Sequence, residues 1–244
     1  MARVLVTGSS GALGTALVPQ LRAQGLEPVQ ASRKHGFDLS TGSGVAEAVR
    51  GVDLVVHAAS DPRHSRAVDV AGTRRLLAAA AQAGIGHLVY VSIVGIDRIP
   101  YGYYRSKLAA EQLVGAGDVP FSILRSTQWF SFVDAVRRRL LTGPVQWAPL
   151  GFRLAPTDVS ECAAAVVRRL LGAPSGAVTE FGGPEDLDAV RMFRRAAGRA
   201  TLPLPVPGKL AAAFRAGAAL PGPAATRGSL TWGQWLARQQ VADS

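Results

Sequence analysis

Apolar and polar residues form two recurring patterns along the first two thirds of the chain. Short apolar runs, at residues 3–7 and 53–57, are typical of strands buried in a parallel sheet. Longer segments with apolar positions three and four residues apart, at residues 13–24 and 66–83, predict amphipathic helices. The same patterns predict strands at 28–32, 87–92 and 121–125 and a helix at 104–114.

Repeated alternation of strand and helix defines the fold class. Because parallel neighbours need crossover connections, βα units of this kind predict an α/β fold with helices on both faces of the sheet. Right-handed crossovers then favour a Rossmann-type, doubly wound parallel sheet. We expect residues 1–150 to form this core.

The last third of the chain has a less regular pattern. Helices are predicted at 158–171 and 186–198, with a strand at 178–181 between them. Three prolines predict a stiff connection before two final helices, at 209–216 and 231–239. We expect residues 151–244 to complete the same domain as a small C-terminal subdomain on the substrate side. The prolines are Pro203, Pro205 and Pro207.

Composition and charge exclude several classes of protein. The single cysteine, Cys162, cannot form an intramolecular disulfide, and the four histidines lack the spacing of zinc ligands, so no metal is expected. The net charge of +10 comes from short arginine clusters on predicted helices, which favours solvated helix faces over a nucleic-acid surface. Without a leader or membrane-spanning pattern, a cytoplasmic location with no membrane contact is expected.

A glycine-rich turn joins the first predicted strand to the first predicted helix. The spacing Gly8-x-x-Gly11-x-x-Gly14 allows a tight turn, close approach of a pyrophosphate, and close packing of the helix on the strand. The N–H groups at the helix start, aided by the helix dipole, would face the phosphates. The residues expected to bind the dinucleotide here are Gly8, Ser10, Gly11, Ala12, Leu13 and Gly14.

The end of the second predicted strand favours NADP(H) over NAD(H). NAD-binding sites commonly offer a carboxylate there to the ribose 2′-hydroxyl, whereas this chain has Ser32, Arg33 and Lys34. An arginine can stack on adenine and pair with a 2′-phosphate, and a lysine adds a point charge. The alternative interpretation is a pair of exposed basic residues at the start of a loop.

The segment Tyr103-Tyr104-Arg105-Ser106-Lys107, together with the glycine turn, resembles the atypical or extended short-chain dehydrogenases/reductases of the NmrA-like, NAD(P)H-binding type. The resemblance covers most of the chain. It includes the adenine-contacting pair Asp38 and Leu39, and the segment 57–60, His-Ala-Ala-Ser, whose Ala58, Ala59 and Ser60 would lie beside the cofactor. The segments 70–80 and 123–128 are similar to the following helix and to the strand that flanks the nicotinamide.

The resemblance implies a catalytic pair. In the family, the tyrosine of Tyr-x-x-x-Lys is the general acid or base, and the lysine lowers its pKa and binds the nicotinamide ribose. Tyr103 and Lys107 are four residues apart and so share a helix face. Ser92 is the candidate for the family's serine, while Ile93 stands where that serine often falls, so either Ser92 assists or the substrate oxygen lacks that donor.

Aromatic residues after the strand at 121–125 suggest an apolar substrate pocket. Trp129, Phe130 and Trp147 could wall such a pocket, or could be ordinary core. The function predicted is an NADP(H)-dependent oxidoreductase acting on a small carbonyl, alcohol or enone, as a monomer or homodimer. The alternatives are an epimerase or dehydratase that uses its nucleotide transiently, and a nonenzymatic NADP(H) redox sensor that binds a protein partner.

Overall fold

The computed structural model describes residues 1–197 and 200–242, and it forms an α/β fold around one large sheet. The order of the seven strands in that sheet is β2-β1-β3-β4-β5-β9-β12. The strands along the chain are β1 (Arg3–Thr7), β2 (Glu27–Ala31), β3 (Leu54–His57), β4 (His87–Ile93), β5 (Phe121–Ser126), β6 (Leu141–Thr142), β7 (Val145–Pro149), β8 (Arg153–Leu154), β9 (Val178–Gly182), β10 (Leu187–Asp188), β11 (Thr201–Leu204) and β12 (Thr226–Arg227).

The strand order makes the sheet doubly wound. β1 pairs in parallel with β2 on one side and with β3 on the other, so the chain reverses its direction of growth at β1. The predicted Rossmann-type fold is confirmed. In open sheets of this kind, ligands bind beyond the carboxyl ends of the strands at the reversal, which here is the edge after Thr7 and His57.

Buried aliphatic side chains explain why the inner strands form. Leu5, Val55 and Leu88 have no exposed surface, and they pack in one cluster with Leu76 and Ala80 from a covering helix. Burial on both faces removes the need for polar alternation, which is why these strands read as continuous apolar runs.

The predicted helices are largely present, with one change of type. The helix expected over 66–83 is a π-helical turn, Arg66–Gly72, that leads directly into an α-helix, Thr73–Gln82. Part of the helix expected over 186–198 lies outside the described residues. The α-helices are α1 (Ala12–Ala23), α2 (Val45–Ala48), α3 (Thr73–Gln82), α4 (Gly102–Gly115), α5 (Phe130–Arg139), α6 (Val159–Leu171), α7 (Ala189–Ala197), α8 (Lys209–Arg215) and α9 (Trp232–Ala242).

The region that the sequence left irregular contains regular structure. β11 includes Pro203 and pairs in parallel with β7, so the stiff connection expected between the three prolines is wrong for Thr201–Leu204. The physical reason is that β11 is an edge strand of its three-stranded sheet, and an edge strand tolerates a residue without an N–H. Within the described ranges, no helix is both long and apolar enough to cross a membrane.

The chain divides into two compact units that interleave along the sequence. The first comprises Met1–Ile93, Gly102–Arg125 and Cys162–Thr179. The second comprises Val94–Tyr101, Ser126–Glu161 and Glu180–Ser244, and so takes residues from both sides of the boundary expected at 150.

Candidate active site

The glycine turn after β1 is shaped by the absence of side chains. Gly8 has φ of 70°, in the left-handed region, and its N–H donates to the Ala31 carbonyl at 2.8 Å. A Cβ on Gly8 would lie 2.8 Å from the Cα of Ala59, and one on Gly14 would overlap the Gly8 carbonyl oxygen. The turn therefore requires glycine at both positions and brings the backbone of residues 8 and 59 close together.

Helix α1 presents its start to the same place. Gly11 precedes the first helical residue, Ala12, and no side chain caps the helix there. The first N–H groups of a helix have no partner within the helix, so they suit an anionic ligand. The glycine turn and the uncapped start of α1 together fit a dinucleotide pyrophosphate.

A cavity of about 530 Å³ opens beside this turn, and every residue that lines it belongs to the first unit. Most of the cofactor residues expected from the sequence line it, whereas Ala12, Leu13, Gly14, Lys34 and Lys107 do not. The lining residues are Gly8, Ser10, Gly11, Ala31, Ser32, Arg33, Phe37, Asp38, Leu39, Ser40, Ala58, Ala59, Ser60, Asp61, His64, Ala67 and Val68.

One end of the cavity carries both a cation and a carboxylate. Arg33 begins a short turn after β2, where Ser32 Oγ and His35 Nδ1 are 2.9 Å apart. The Asp38 carboxylate accepts from the hydroxyl and the N–H of Ser40, at 2.7 and 2.8 Å. These two bonds, opposed by desolvation and aided by Arg33, lower the pKa of Asp38. Asp38 is therefore ionised at neutral pH and held in place by Ser40.

A buried histidine fixes the wall of the cavity after β3. Thr7 Oγ1 accepts from the N–H groups of Ala58 and Ala59, at 3.2 and 3.1 Å, so its own proton goes to His57 Nδ1 at 2.8 Å. The opposite ring nitrogen of His57 lies 2.9 Å from Thr73 Oγ1. Burial, reinforced by the Lys107 charge, lowers the pKa of His57 to about 3. The ring is neutral and donates from Nε2.

The predicted tyrosine and lysine meet through two further side chains. Tyr103 Oη lies 2.7 Å from Ser60 Oγ, and Ser60 Oγ donates to Asp69 Oδ1 at 2.5 Å. Lys107 Nζ is 3.9 Å from the same Asp69 oxygen. Helix α4 supplies Tyr103 and Lys107, the loop after β3 supplies Ser60, and the π-helical turn supplies Asp69. The four residues form one connected polar cluster, which we call the tyrosine cluster.

The lysine of this cluster is held inside the first unit. Lys107 is 3% exposed; it donates to the Val91 carbonyl at 2.8 Å and lies 4.2 Å above the centre of the Tyr90 ring. Burial lowers its pKa to about 8, against the opposing attraction of Asp69 and Glu111. Lys107 is thus a cation at neutral pH that gives up its proton more readily than an ordinary lysine.

Asp69 is the site residue that the sequence analysis missed. It is 1% exposed, and burial raises the pKa of its carboxyl while the Lys107 charge and Ser60 oppose that rise. A signal was available, because residues 69, 73, 76, 77 and 80 are all buried and follow helical spacing. An acid on a buried, mostly apolar helix stripe needs a partner or a function.

Ser92, the serine expected to assist Tyr103, is not the serine that bonds to it. Ser92 is 3% exposed, and its hydroxyl has no hydrogen-bond partner among the described residues. The hydroxyl that bonds Tyr103 belongs to Ser60, which the sequence analysis had assigned to the cofactor. The role of Ser92 stays a prediction.

The aromatic candidates for a substrate pocket lie in the second unit. Phe130 is 1% exposed and packs against Trp232 and Trp235, with ring centres 5.6 and 5.8 Å away, so its position fits ordinary core packing. Trp129 and Trp147 are half-buried, and the Trp129 indole N–H has no partner among the described residues.

Comparison with known families identifies the class of protein. The chain belongs to the NAD(P)H-binding family, whose model matches residues 35–169, more than half of the chain. The match includes the Tyr103–Lys107 pair and begins after the glycine turn. This match confirms the NAD(P)H-binding part of the predicted membership.

Individual relatives are more distant. The chain is 31% identical over 182 residues to a 2-alkyl-3-oxoalkanoate reductase of Stenotrophomonas maltophilia, a match that covers 58% of this chain and 52% of the relative. The chain therefore spans about half the length of that relative.

Two solved structures share the fold across nearly the whole chain. One is a short-chain dehydrogenase/reductase superfamily protein of Agrobacterium tumefaciens with bound NAD, at 21% identity and a TM-score of 0.73, covering 99% of this chain and 98% of the other. The other is the NADPH-dependent quinone oxidoreductase QOR2 of Escherichia coli complexed with NADPH, at 16% identity and a TM-score of 0.75, covering 97% and 99%. One fold thus holds either nucleotide.

Proposed function

We propose that the chain is an NADP(H)-dependent oxidoreductase that reduces or forms a small carbonyl compound, or reduces an enone. The observation that carries the proposal is the tyrosine cluster. A phenol is bonded to a cavity-lining serine, Ser60, and shares a helix face with a buried ammonium, Lys107. This combination supplies a proton donor or acceptor at the cavity wall together with a positive charge that favours the phenolate.

The nucleotide would be held mainly by backbone. The turn at Gly8 and Gly11 and the start of α1 would bind the pyrophosphate, and Leu39 with Asp38 would contact the adenine. When bound, the nicotinamide supplies a hydride donor or acceptor at its C4. The protein positions the nucleotide and controls the proton.

Preference for NADP(H) is proposed from Arg33. Arg33 lines the cavity, and its guanidinium can pair with a 2′-phosphate in a bidentate manner, with Ser32 beside it and Lys34 adding charge nearby. The Asp38 carboxylate lines the same cavity and would oppose a phosphate, but it is already engaged by two bonds from Ser40.

The substrate is proposed to be small and partly apolar. Tyr103 would donate a proton to the substrate oxygen during reduction and accept one during oxidation, and Lys107 would stabilise the phenolate left behind. Ser92 stays a candidate for a second hydrogen bond to the substrate oxygen. Trp129 and Trp147 stay candidates for apolar contact.

The first test is calorimetric titration with NADPH, NADP⁺ and NADH in parallel. We expect both phosphorylated nucleotides to bind more tightly than NADH, and Arg33→Ala to weaken NADPH binding about tenfold, the loss of one charge-assisted contact. Arg50→Ala, an exposed arginine outside the cavity, is the matched control. Equal affinity for NADH and NADPH would overturn the NADP(H) preference.

The second test is turnover of carbonyl substrates by Tyr103→Phe. We expect a loss of about 10²- to 10⁴-fold with nucleotide binding unchanged, because only the ionisable hydroxyl is removed. Turnover that survives this change would refute the role of Tyr103. Binding without net NADPH consumption would favour an epimerase or dehydratase, and strong preference for one redox state without turnover would favour the sensor.

A further inference from the structure

Three oxygen atoms of the tyrosine cluster form a continuous line from the cavity wall to a buried acid. Tyr103 Oη, Ser60 Oγ and Asp69 Oδ1 are separated by steps of 2.7 and 2.5 Å. Ser60 is exposed to the cavity, whereas the Asp69 side chain has no exposed surface. Protons can therefore reach this carboxyl group through the serine hydroxyl.

The protonation state of Asp69 sets the direction of both hydrogen bonds. An ionised carboxylate only accepts, so Ser60 then donates to Asp69 and accepts from Tyr103. A protonated Asp69 can donate instead, so that Ser60 donates to the Tyr103 oxygen. In that second arrangement the phenol proton is directed away from Ser60 and is available to a substrate oxygen.

We propose that Ser60 and Asp69 are positioning residues that form a proton relay for Tyr103. The relay rests on the proposed function, in which Tyr103 is the general acid and base. During reduction, the Tyr103 O–H bond breaks as the substrate O–H bond forms, the Ser60 proton moves to the phenolate, and the Asp69 proton moves to Ser60. Asp69 is left as a carboxylate beside the Lys107 ammonium, and water at Ser60 later restores the proton. Oxidation runs through the same steps in reverse.

The surroundings of Asp69 suit a group that changes protonation state. Among the described residues its nearest cation, Lys107, is 3.9 Å away, and its carboxylate also accepts from Ser60 Oγ and from the Asp61 N–H at 3.2 Å. Burial raises the pKa of the Asp69 carboxyl, and the Lys107 charge opposes that rise without cancelling it. The titratable groups that face it are Lys107 and Tyr103 on α4, Asp61 in the loop after β3, and Tyr90 on β4.

A second buried acid, four residues after Lys107 on α4, offers a comparison with Asp69. Glu111 accepts two bonds from Arg125, at 2.9 and 2.7 Å, in the bidentate geometry that fixes the position of a carboxylate. Asp69 has no bidentate partner. The looser pairing costs stability in a buried place, and a proton-carrying role explains why an acid stands there.

The test measures Tyr103 directly, in the chain without nucleotide. The near-ultraviolet absorbance of phenolate is titrated in the wild type, Asp69→Asn and Ser60→Ala, each compared with the same protein carrying Tyr103→Phe. Asparagine keeps the shape of the acid and its contact with Ser60 but removes the charge. We expect the pKa of Tyr103 to fall by about one unit in Asp69→Asn, because a nearby negative charge no longer opposes the phenolate. Asp134→Asn, which removes a buried carboxylate outside the cavity, should leave it unchanged.

The pH dependence of turnover completes the test. In the wild type, the rate of reduction should fall as the pH rises through the titration of Asp69; in Asp69→Asn and Ser60→Ala that limb should disappear and the rate should drop about tenfold. Ser60→Thr, which keeps the hydroxyl, should restore the limb. An unchanged Tyr103 pKa in Asp69→Asn, or a wild-type pH profile in folded Ser60→Ala, would overturn the relay. Failure of the proposed function would appear separately, as full turnover in Tyr103→Phe or as no turnover in the wild type. In either case the phenolate titration still measures the effect of Asp69 on the pKa of Tyr103.

Discussion

Two series of hydrogen-bonded side chains in the first unit both end at Asp69. One ends on its backbone and the other on its carboxylate. The neutral chain runs from Thr7 through His57 to Thr73, which donates to the backbone carbonyl of Asp69 at 2.5 Å. The tyrosine cluster runs from Tyr103 through Ser60 to the Asp69 carboxylate. One chain ends on the backbone of this residue and the other on its side chain.

The difference decides what each chain can do. The neutral chain begins at two backbone N–H groups, which can only donate, and ends at a backbone carbonyl, which can only accept. Each proton along the neutral chain therefore has one position. The tyrosine cluster has a titratable group at each end, so its protons have two arrangements. A chain that ends on backbone holds a wall in place, and a chain that ends on ionisable side chains can transfer a proton.

The largest effect is expected from removing the charge that supports the tyrosine cluster. Lys107→Met should lower turnover by about 10²- to 10⁴-fold, because the phenolate loses its neighbouring cation. In the wild type, turnover should fall as the pH rises through about 8, where Lys107 loses its proton. Steady-state rates across pH measure both effects.

Lys209→Met is the matched control, since it removes an exposed lysine outside the cavity. It should keep the wild-type rate and pH profile. Equal losses in the two variants would mean that general charge, rather than the position of Lys107, carries the effect.

The next effect concerns acid stability and the neutral chain. The pKa of folded His57 is about 3 against an ordinary 6.5, so the unfolded chain binds more protons between these values. The stability contributed by the neutral ring is fully present above pH 6.5 and is lost as the pH falls toward 3. At pH 4 the loss amounts to about 3 kcal/mol.

Urea unfolding from pH 7 to pH 4 measures this loss in the wild type and in His57→Asn. The variant should be less stable at pH 7 and should lack the acid-dependent decline that His57 contributes. His35→Asn, at an exposed position, should keep the decline. If the decline persisted in full without His57, other groups would cause it.

A smaller effect is expected at the start of the neutral chain. Thr7→Val keeps the shape of the side chain but leaves the N–H groups of Ala58 and Ala59 without their acceptor. The free energy of unfolding should fall by about 1–3 kcal/mol. Thr15→Val removes an exposed hydroxyl bonded to the Gly11 carbonyl and should cost less. A loss no greater at Thr7 than at Thr15 would show that water replaces the missing acceptor.

The sequence predicted the parts of the site that depend on local spacing. The glycine turn follows from residues within one strand–helix junction, and the shared face of Tyr103 and Lys107 follows from a separation of four on one helix. The parallel sheet could also be predicted from the sequence, because its strands are apolar runs that repeat along the chain.

The sequence did not predict the partners that join these parts. Ser60 and Tyr103 are 43 positions apart, and no periodic pattern reports a hydrogen bond between side chains that distant. The strand at Pro203 was missed for a related reason. A proline is accepted there only because β11 lies at a sheet edge, which is a property of the assembled fold.

Because of the π-helical turn at Arg66–Gly72, the position of Asp69 depends on the number of residues in this segment as well as on their identity. Such a turn accommodates one residue more than an α-helix would, and π-helical turns are frequent at functional sites. Deleting one residue between Asp69 and Thr73 would rotate Asp69 by roughly 100° about the helix axis relative to Leu76 and Ala80. An insertion or deletion in this segment would thus move Asp69 into or out of the tyrosine cluster during evolution, while the hydrophobic core behind it kept its packing.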